Sequence, residues 1–267
     1  MNIVVCVKQV PDSWAEKKLQ PSDSTLDRGS ADAVMNELDE YAVEEALRLQ
    51  EANGGPEASP VTILTMGPDK AAETIRKALS MGADAGVHVV DDSLHGSDAV
   101  ATSLVLAKAL GTLSWDLVIL GTESTDARMS VVPAMLAERL GVPQLTFAGK
   151  VDVEVDAEGG VARVQRVTDT GFDTVEGRLP AVISVVEKIN EPRYPSFKGI
   201  MAAKKKPVTT LSLADLGIGA DEVGLAGAWS TVTEFAGRPP KAAGTIVKDE
   251  GDGGVKLAEF LVAGKFI

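Results

Sequence analysis

The stretch "VTILTMGPDKAAETIRKALSMGADAGVHVV", residues 61–90, contains two short apolar segments separated by a helical pattern. "VTILTM" (61–66) and "GVHVV" (86–90) are short and nearly continuously apolar, which is typical of strands buried in a parallel sheet. Gly82 follows the helical pattern as a left-handed helix stop. The apolar residues of that pattern share one helical face: Ala71, Ile75, Ala78 and Leu79. The stretch therefore predicts a strand, a helix and a second, parallel strand.

The same alternation runs from residue 2 to about residue 140. "IVVCV" (3–7) and "DLVIL" (116–120) are two further strands by the same criterion. Helical patterns occupy 36–55, 97–111 and 131–141; Asn36 is the expected N-cap of the first, and Ser97 or Asp98 that of the second. Because right-handed crossovers put helices on both faces, the fold class predicted is α/β with an open, mostly parallel sheet. Ligands of such sheets bind at the carboxyl ends of the strands.

The pattern changes in the C-terminal half. "KVDVEVDAEGGVARVQRV" (150–167) alternates apolar and polar residues around "AEGG", which predicts a β-hairpin, and 179–186 predicts one more strand. After Lys206 the periodicity is weak until 255–267, which predicts a short helix. A tail with so little periodicity cannot bury itself, so we expect it to be partly disordered or laid across another protein.

Residues 190–207, "NEPRYPSFKGIMAAKKKP", form a turn-rich stretch that predicts a loop. Tyr194 and Phe197 lie in it, and three lysines end it, in a chain where only 4% of residues are aromatic. Aromatic side chains within a charged rim are typical of protein interfaces. The plainer alternatives are that the rings fold back onto the core and that the lysines are a solvated charge run.

Composition excludes several classes of function. The chain has 39 Asp+Glu against 26 Lys+Arg, a net charge of −13, which argues against nucleic acid as the main partner. Cys6 is the single cysteine, so no intramolecular disulfide forms, which fits a reducing compartment. No signal peptide pattern and no apolar run of ~18–20 residues is present. We expect a soluble, intracellular protein without direct membrane insertion.

Side-chain catalysis has little support in the sequence. There is no Walker A motif and no GxGxxG after the first strand, and the two histidines, His88 and His95, stand apart from any nucleophile or metal-ligand pattern. Lone carboxylates such as Asp12 and Asp126 are usually turn formers. The loop "GTESTDARMSVVPAM" (121–135) is a better candidate, because its hydroxyl residues precede a helix N-terminus that can hold an anion. Simple helix capping explains the same pattern equally well.

Several motifs together resemble the small (beta) subunit of electron transfer flavoproteins, in particular the actinobacterial branch. They are "VKQVPD" (7–12), "AVEEALRL" (42–49), "IRKALSMGAD" (75–84), "GTESTD" (121–126), "LPAVISV" (179–185) and the stretch 190–207. Their order and spacing match over nearly the whole chain. The resemblance implies an α/β nucleotide-binding domain over 1–190, similar to the adenine-nucleotide alpha hydrolases. It also implies a recognition loop over 191–207 and an extended C-terminal arm over 208–267 that packs on a large subunit.

The resemblance also implies a function. AMP would be a structural cofactor of this subunit, whereas FAD would be held mainly by the large subunit. Electrons would pass from acyl-CoA and other dehydrogenases of fatty acid β-oxidation to a membrane quinone oxidoreductase. The subunit would be a cytoplasmic electron carrier with no catalytic residue and no metal.

The family's AMP contacts, many of them through the main chain, fall on the first strand end, the start of the first helix, the second strand end and the loop after the fourth strand. These positions are Cys6, Asn36, Glu37, Leu38, Asp39, Met66, Gly121, Thr122, Glu123, Ser124, Thr125, Asp126, Ala127, Arg128, Met129, Ser130, Val131 and Val132. The implied partner-binding residues are Glu191, Pro192, Arg193, Tyr194, Phe197, Ile200, Met201, Lys204, Lys205 and Lys206. Phe197 stands where the family commonly carries a leucine that fills an apolar pocket on the dehydrogenase.

Two departures from the family pattern bear on function. Residues 127–132 are bulkier than in most members, so Arg128 either pairs with the phosphate or closes the pocket. Val167 follows Arg166 where many members have a glutamate that holds the mobile flavin domain, and Asp169 and Asp173 are the nearby substitutes. An adenine-nucleotide-binding enzyme would fit residues 1–140 but would not explain the stretch 190–207 or the tail, and a stress-type nucleotide-binding regulator would have a much shorter chain. The alternative that stays open is a flavin-bifurcating relative with FAD in place of AMP.

Overall fold

The computed structural model describes residues 1–155, 159–237, 239–241, 243–244 and 246–267. The described chain divides into two compact units, Met1–Thr233 and Glu234–Ile267. The first contains the sheet and both hydrophobic cores, and the second is the C-terminal arm.

A nine-stranded sheet and a separate two-stranded ribbon are present in the described residues. The strands are β1 (Ile3–Cys6), β2 (Gln9–Pro11), β3 (Ala33–Met35), β4 (Val61–Met66), β5 (Ala85–Val89), β6 (Leu117–Gly121), β7 (Gln144–Glu154), β8 (Val161–Thr168), β9 (Gly171–Arg178), β10 (Ala181–Val185) and β11 (Val208–Leu211). The sheet order is β11-β5-β4-β1-β6-β10-β7-β8-β9, and the run from β11 to β7 is parallel. The predicted open, mostly parallel sheet is confirmed.

Helices cover both faces of this sheet, as predicted. They are α1 (Glu37–Ala52), α2 (Ala72–Met81), α3 (Ala99–Leu110), α4 (Val132–Leu140), α5 (Phe197–Ala203), α6 (Gly224–Gly227) and α7 (Gly253–Ala263). In β1, Ile3 and Val5 join the core cluster formed with α1 and α2, whereas Val4 and Cys6 join the cluster formed with α3 and α4. The strand is buried on both faces because successive side chains point to opposite sides.

The order of the strands reverses next to β1. β4 and β5 follow β1 on one side, and β6 lies on its other side. In open α/β sheets, such a reversal opens a crevice at the carboxyl ends of the two central strands. Here that crevice lies beyond β1 and β6, where Cys6 and Gly121 end their strands.

The C-terminal boundary differs from the prediction. Residues from 208 onward do not begin an arm without a core: β11 pairs with β5, and the apolar residues after it are buried on the α3–α4 face. These residues are Leu213, Leu216, Ile218 and Val223. The weak periodicity misled the prediction because each of these side chains is buried singly in an irregular segment. The division lies instead at Thr233, and the short helix predicted within 255–267 is confirmed as α7.

Local differences have similarly physical causes. The hairpin predicted over 150–167 is confirmed by the antiparallel pairing of β7 with β8, while its turn includes residues 156–158, which lie outside the described residues. β9 was not predicted because most of its side chains are exposed. The stretch 190–207, predicted to be a loop, contains the short helix α5, which begins after the Ser196 cap.

Candidate functional site

Cys6, Met66 and Gly121 lie side by side, because they end the adjacent strands β1, β4 and β6. The first turn of α1 closes against this edge. A Cβ atom at Gly121 would stand 2.6 Å from Asp39 Oδ1 and 2.8 Å from the Cβ of Leu38, so only glycine allows α1 to approach. The structure thus brings together the strand ends and the helix start that the resemblance assigned to AMP.

Asn36 connects the start of α1 to the loop after β6. Its side chain does not cap α1, contrary to prediction. Instead Nδ2 donates to the carbonyl of Glu123 at 2.9 Å, and Oδ1 accepts from the amide of Thr125 at 3.0 Å. These two hydrogen bonds pair the buried side-chain amide of Asn36 with main-chain groups of the loop, as buried polar groups require.

Asp39 is a buried carboxyl at the centre of the site. Its oxygens accept from the amides of Lys8 (2.7 Å) and Gly121 (3.3 Å). Burial raises the pKa of Asp39 to about 7 despite these hydrogen bonds. The native state therefore binds this proton more tightly than the unfolded state, and the free energy of unfolding falls as pH rises between ~4 and ~7. Burial, and secondly the charge of Asp39, also raises the pKa of the Cys6 thiol, which stays protonated and unreactive.

Asp126 is not the simple turn former that the sequence suggested. Its side chain is only 1% exposed, and it accepts from Lys8 Nζ and Arg28 Nη2, each at 2.8 Å. Burial alone would raise its pKa, but the charge of Lys8 and then that of Arg28 hold the pKa of Asp126 at about 2. The sequence prediction missed both cations. Lys8 had a signal, its place two residues after the end of β1, whereas Arg28 lies in an aperiodic loop that gave none.

Replacing Asp126 by Asn should lower the free energy of unfolding by about 2 kcal/mol at pH 7, since two charge-assisted hydrogen bonds are lost to partly exposed cations. The lowered pKa means that this stabilisation is complete above pH ~4 and disappears as pH falls towards 2. Urea unfolding from pH 2 to 8 measures it. Asp152→Asn is the control, because its pair with Lys150 is exposed. A difference between Asp126→Asn and wild type that persists unchanged at the lowest pH would contradict this account.

The main chain of the loop 121–132 has an unusual conformation. Arg128 and Ser130 have φ angles of +50° and +54°, a left-handed conformation that is costly for residues other than glycine. Ser130 donates from its hydroxyl to Glu123 Oε2 at 2.8 Å, which holds this conformation. Left-handed Ser130 followed by right-handed Val131 is the backbone arrangement that gathers N–H groups into an anion-binding concavity, directly before α4.

A buried hydroxyl in this loop lacks a partner. Thr125 Oγ1 is inaccessible to solvent and has no hydrogen-bond partner among the residues that the structure describes. Thr122, by contrast, donates to the carbonyl of Val185 at 2.6 Å. Because buried polar groups are normally paired, the Thr125 hydroxyl is a position where a polar ligand atom would be accepted. The residues present therefore fit a bound nucleotide, and the exposed side chains of Ala127, Arg128 and Met129 do not fill the loop's interior.

The second candidate region is the apolar face of α5. Phe197, Ile200 and Met201 share this face at helical spacing and are all exposed, Phe197 by 81%. Tyr194, just before the helix, is 94% exposed. The alternative in which these rings fold back onto the core is therefore wrong.

Comparison with known proteins agrees with this geometry. Residues 23–216 match the family model described as "Electron transfer flavoprotein domain". The chain is 58% identical to the electron transfer flavoprotein subunit beta of Mycobacterium tuberculosis, over 100% of this chain and 99% of the relative. The corresponding subunits of Mycobacterium leprae (100% of this chain, 99% of the relative) and Megasphaera elsdenii (100% of both) are 56% and 34% identical. This chain belongs to the electron transfer flavoprotein family.

The identities to mycobacterial beta subunits confirm the predicted actinobacterial type. The family connects the chain to electron transport by a flavoprotein. Among the described residues, no helix combines the length and the apolar character needed to cross a bilayer.

Two of the implied partner-binding residues, Lys206 and Arg193, have contacts within the chain. Lys206 donates to the carbonyls of Leu79, Gly82 and Ala83 at 2.5–3.1 Å, so it caps the end of α2 and does not belong to a solvated charge run. Arg193 pairs with α1, as described below. Lys204, Lys205 and Glu191 are exposed, and Pro192 is partly buried.

The departure from the family at Val167 lies on an exposed part of the sheet. Val167 pairs across to Phe172, and both are exposed apolar residues. Arg166 donates through Nε to the carbonyl of Thr146 at 3.1 Å and stands opposite Asp173 in the β8–β9 ladder. A carboxylate is therefore available beside Arg166 on the neighbouring strand, whereas the position after Arg166 is apolar.

Proposed function

We propose that this chain is the small subunit of a heterodimeric electron transfer flavoprotein. It would serve acyl-CoA and other dehydrogenases of fatty acid β-oxidation in the cytoplasm and deliver their electrons to a membrane quinone oxidoreductase. The redox chemistry is that of FAD held mainly by the large subunit. This chain would contribute a nucleotide site, a docking surface and an arm, and no catalytic side chain.

The observation that carries the docking proposal is the exposed apolar face of α5. A helix whose i, i+3 and i+4 residues are large, apolar and exposed has a face suited to a partner's groove. Exposed Lys204 and Lys205 follow it, so the surface combines apolar anchors with a cationic rim. A dehydrogenase with an apolar pocket inside an acidic border is the partner that this chemistry would recognise.

The nucleotide proposal rests on the crevice at β1 and β6. The α4 N-terminus and the left-handed residues before it would bind a phosphate through main-chain N–H groups. Lys8 and Arg28 both pair with Asp126, so two cationic side chains lie beside the loop. Because binding is mostly through the main chain, the bulkier side chains at 127–132 are compatible with AMP.

The arm is proposed to pack on the large subunit. None of the described residues of Glu234–Ile267 is buried, yet many are large and apolar. The exposed ones are Phe235, Ile246, Val247, Val255, Leu257, Phe260, Val262, Phe266 and Ile267. Apolar surface on this scale marks an interaction site rather than a solvated tail.

Co-expression with the large subunit, followed by denaturation and mass identification of the released nucleotides, tests the proposal. We expect one AMP and one FAD per heterodimer. Thr125→Val, which removes the unpaired hydroxyl at constant shape, should reduce the AMP content and leave the FAD content unchanged. Two FAD and no AMP would support the flavin-bifurcating alternative, and FAD alone would refute the nucleotide site.

A further inference from the structure

We propose that Arg193 is a positioning residue for docking: it fastens the segment before α5 to α1, so that Tyr194 and Phe197 are held ready for the dehydrogenase. This inference rests on the proposed docking function. It assigns Arg193 a role on the inner side of the recognition segment instead of a direct contact with the partner.

The contacts of Arg193 are directed into the protein. Its Nε and Nη2 donate to the two oxygens of Glu44 at 2.7 and 2.9 Å, and its amide donates to Glu44 Oε2 at 3.2 Å. Nη1 donates to Glu51 Oε1 at 2.6 Å. Glu44 lies on α1 with only 7% of its side chain exposed, whereas the side chain of Arg193 is 34% exposed, so the pairing is shielded from solvent on the Glu44 side. The planar guanidinium forms a bidentate pair with the carboxylate of Glu44, which fixes the orientation of Arg193 as well as its distance. A lysine ammonium cannot form such a pair.

The other side of the segment is fastened to α2. Arg76 on α2 donates to the carbonyl of Ala203 at 2.8 Å, and Lys206 caps the same helix. A Cβ atom at Gly199 would lie 2.5 Å from the Ser80 carbonyl oxygen, so α5 rests directly on the main chain of α2. On the α1 side, Asn190 Nδ2 donates to the carbonyl of Tyr41 and to Glu45 Oε2, each at 3.0 Å. Arg193 supplies the attachment nearer to the aromatic residues, one residue before Tyr194 and four before Phe197.

The two attachments explain how exposed aromatic residues can remain ordered without a partner. An unattached segment would lose its conformational freedom at each encounter, and that loss would weaken docking. When Arg193 holds the segment, this conformational freedom is lost on folding and not at each docking event. Removing Arg193 should therefore weaken docking, while the electron transfer rate within the docked complex stays the same.

The test uses the assembled heterodimer as electron acceptor of an acyl-CoA dehydrogenase. Arg193→Ala should raise the half-saturating concentration of the flavoprotein by about 10-fold, the effect of a ~1.4 kcal/mol ordering cost, and leave kcat within about 2-fold. Arg193→Lys should rescue only part of the loss. The control is Arg163→Ala. Arg163 donates two hydrogen bonds to Glu176 on the exposed β8–β9 ladder, away from α5.

A double-mutant cycle separates positioning from general destabilisation. In a Tyr194→Ala/Phe197→Ala background, Arg193→Ala should add less than about 2-fold, because both side chains to be positioned are already gone. If Phe197→Ala weakens docking while Arg193→Ala does not, or if the two effects multiply in full, the positioning role is refuted. If Phe197→Ala itself has no effect, the docking function fails instead. Should Arg193→Ala not assemble with the large subunit, the same cycle with Arg193→Lys decides between these outcomes.

Discussion

A chain truncated after Thr233 is expected to fold normally but to bind the large subunit much more weakly. Both core clusters lie within Met1–Thr233, and none of the described residues after Thr233 is buried. The arm therefore contributes no core packing that the first unit needs. Its apolar residues would instead be buried by the partner, and the truncated chain would leave that partner surface uncovered.

The expected loss of affinity is large. Burial of one large apolar side chain contributes ~1.5–3 kcal/mol, so three anchors from the arm represent roughly 5 kcal/mol before ordering costs. Even after the cost of ordering the arm, we expect the affinity between the subunits to fall at least about 100-fold. Isothermal titration of the truncated chain with the large subunit would measure it, with circular dichroism and urea unfolding as evidence of folding.

A matched control separates the apolar contribution from the mere presence of the arm. Full-length chain with Lys248→Ala and Glu250→Ala removes two exposed charges of opposite sign and keeps every apolar residue of the arm. This variant should assemble as the wild type does. Normal assembly of the truncated chain would refute the role of the arm, and unfolding of the truncated chain would refute the boundary at Thr233.

The parallel sheet could be predicted because its strands carry their own signal. β1, β4 and β6 are buried on both faces, so their sequences are nearly continuously apolar. β11 and α5 have no such signal. β11 is a short edge strand whose order depends on the free edge of β5, and α5 depends on Gly199 and Lys206 fitting against α2. Such tertiary contacts override weak local preference.

The candidate nucleotide site was likewise predictable only in part from the sequence. Its place at the carboxyl ends of parallel strands follows from the alternation of strands and helices. The strand order that puts the ends of β1 and β6 side by side was not predicted. The use of Asn36 as a bridge, and of Asp126 as a buried ion pair, could not be predicted from local pattern. Both depend on residues 87 to 118 positions apart in the chain coming within hydrogen-bond distance.

Phe197→Ala is expected to weaken docking to an acyl-CoA dehydrogenase by about 10- to 150-fold, with the folded structure unchanged. The ring is 81% exposed, so its removal costs little packing within this chain. If the dehydrogenase buries it, the loss is ~1.5–3 kcal/mol, which corresponds to that range of dissociation constants. The change should appear mainly as faster dissociation, as for most truncated interface anchors. Phe197→Leu, which keeps an apolar side chain, should retain most of the affinity.

Exposed Lys204 and Lys205 provide the contrast that makes this prediction specific. They are exposed charges, so replacing both by Gln should slow association at low salt and matter little at physiological ionic strength, where the Debye length is ~8 Å. Stopped-flow reduction of the flavin across ionic strength separates the two effects, because loss of Phe197 acts at every salt concentration. If Phe197→Ala and the lysine variant show the same salt dependence, steering alone accounts for docking. If Phe197→Ala leaves the kinetics intact while the heterodimer still assembles, the apolar face of α5 does not dock the dehydrogenase.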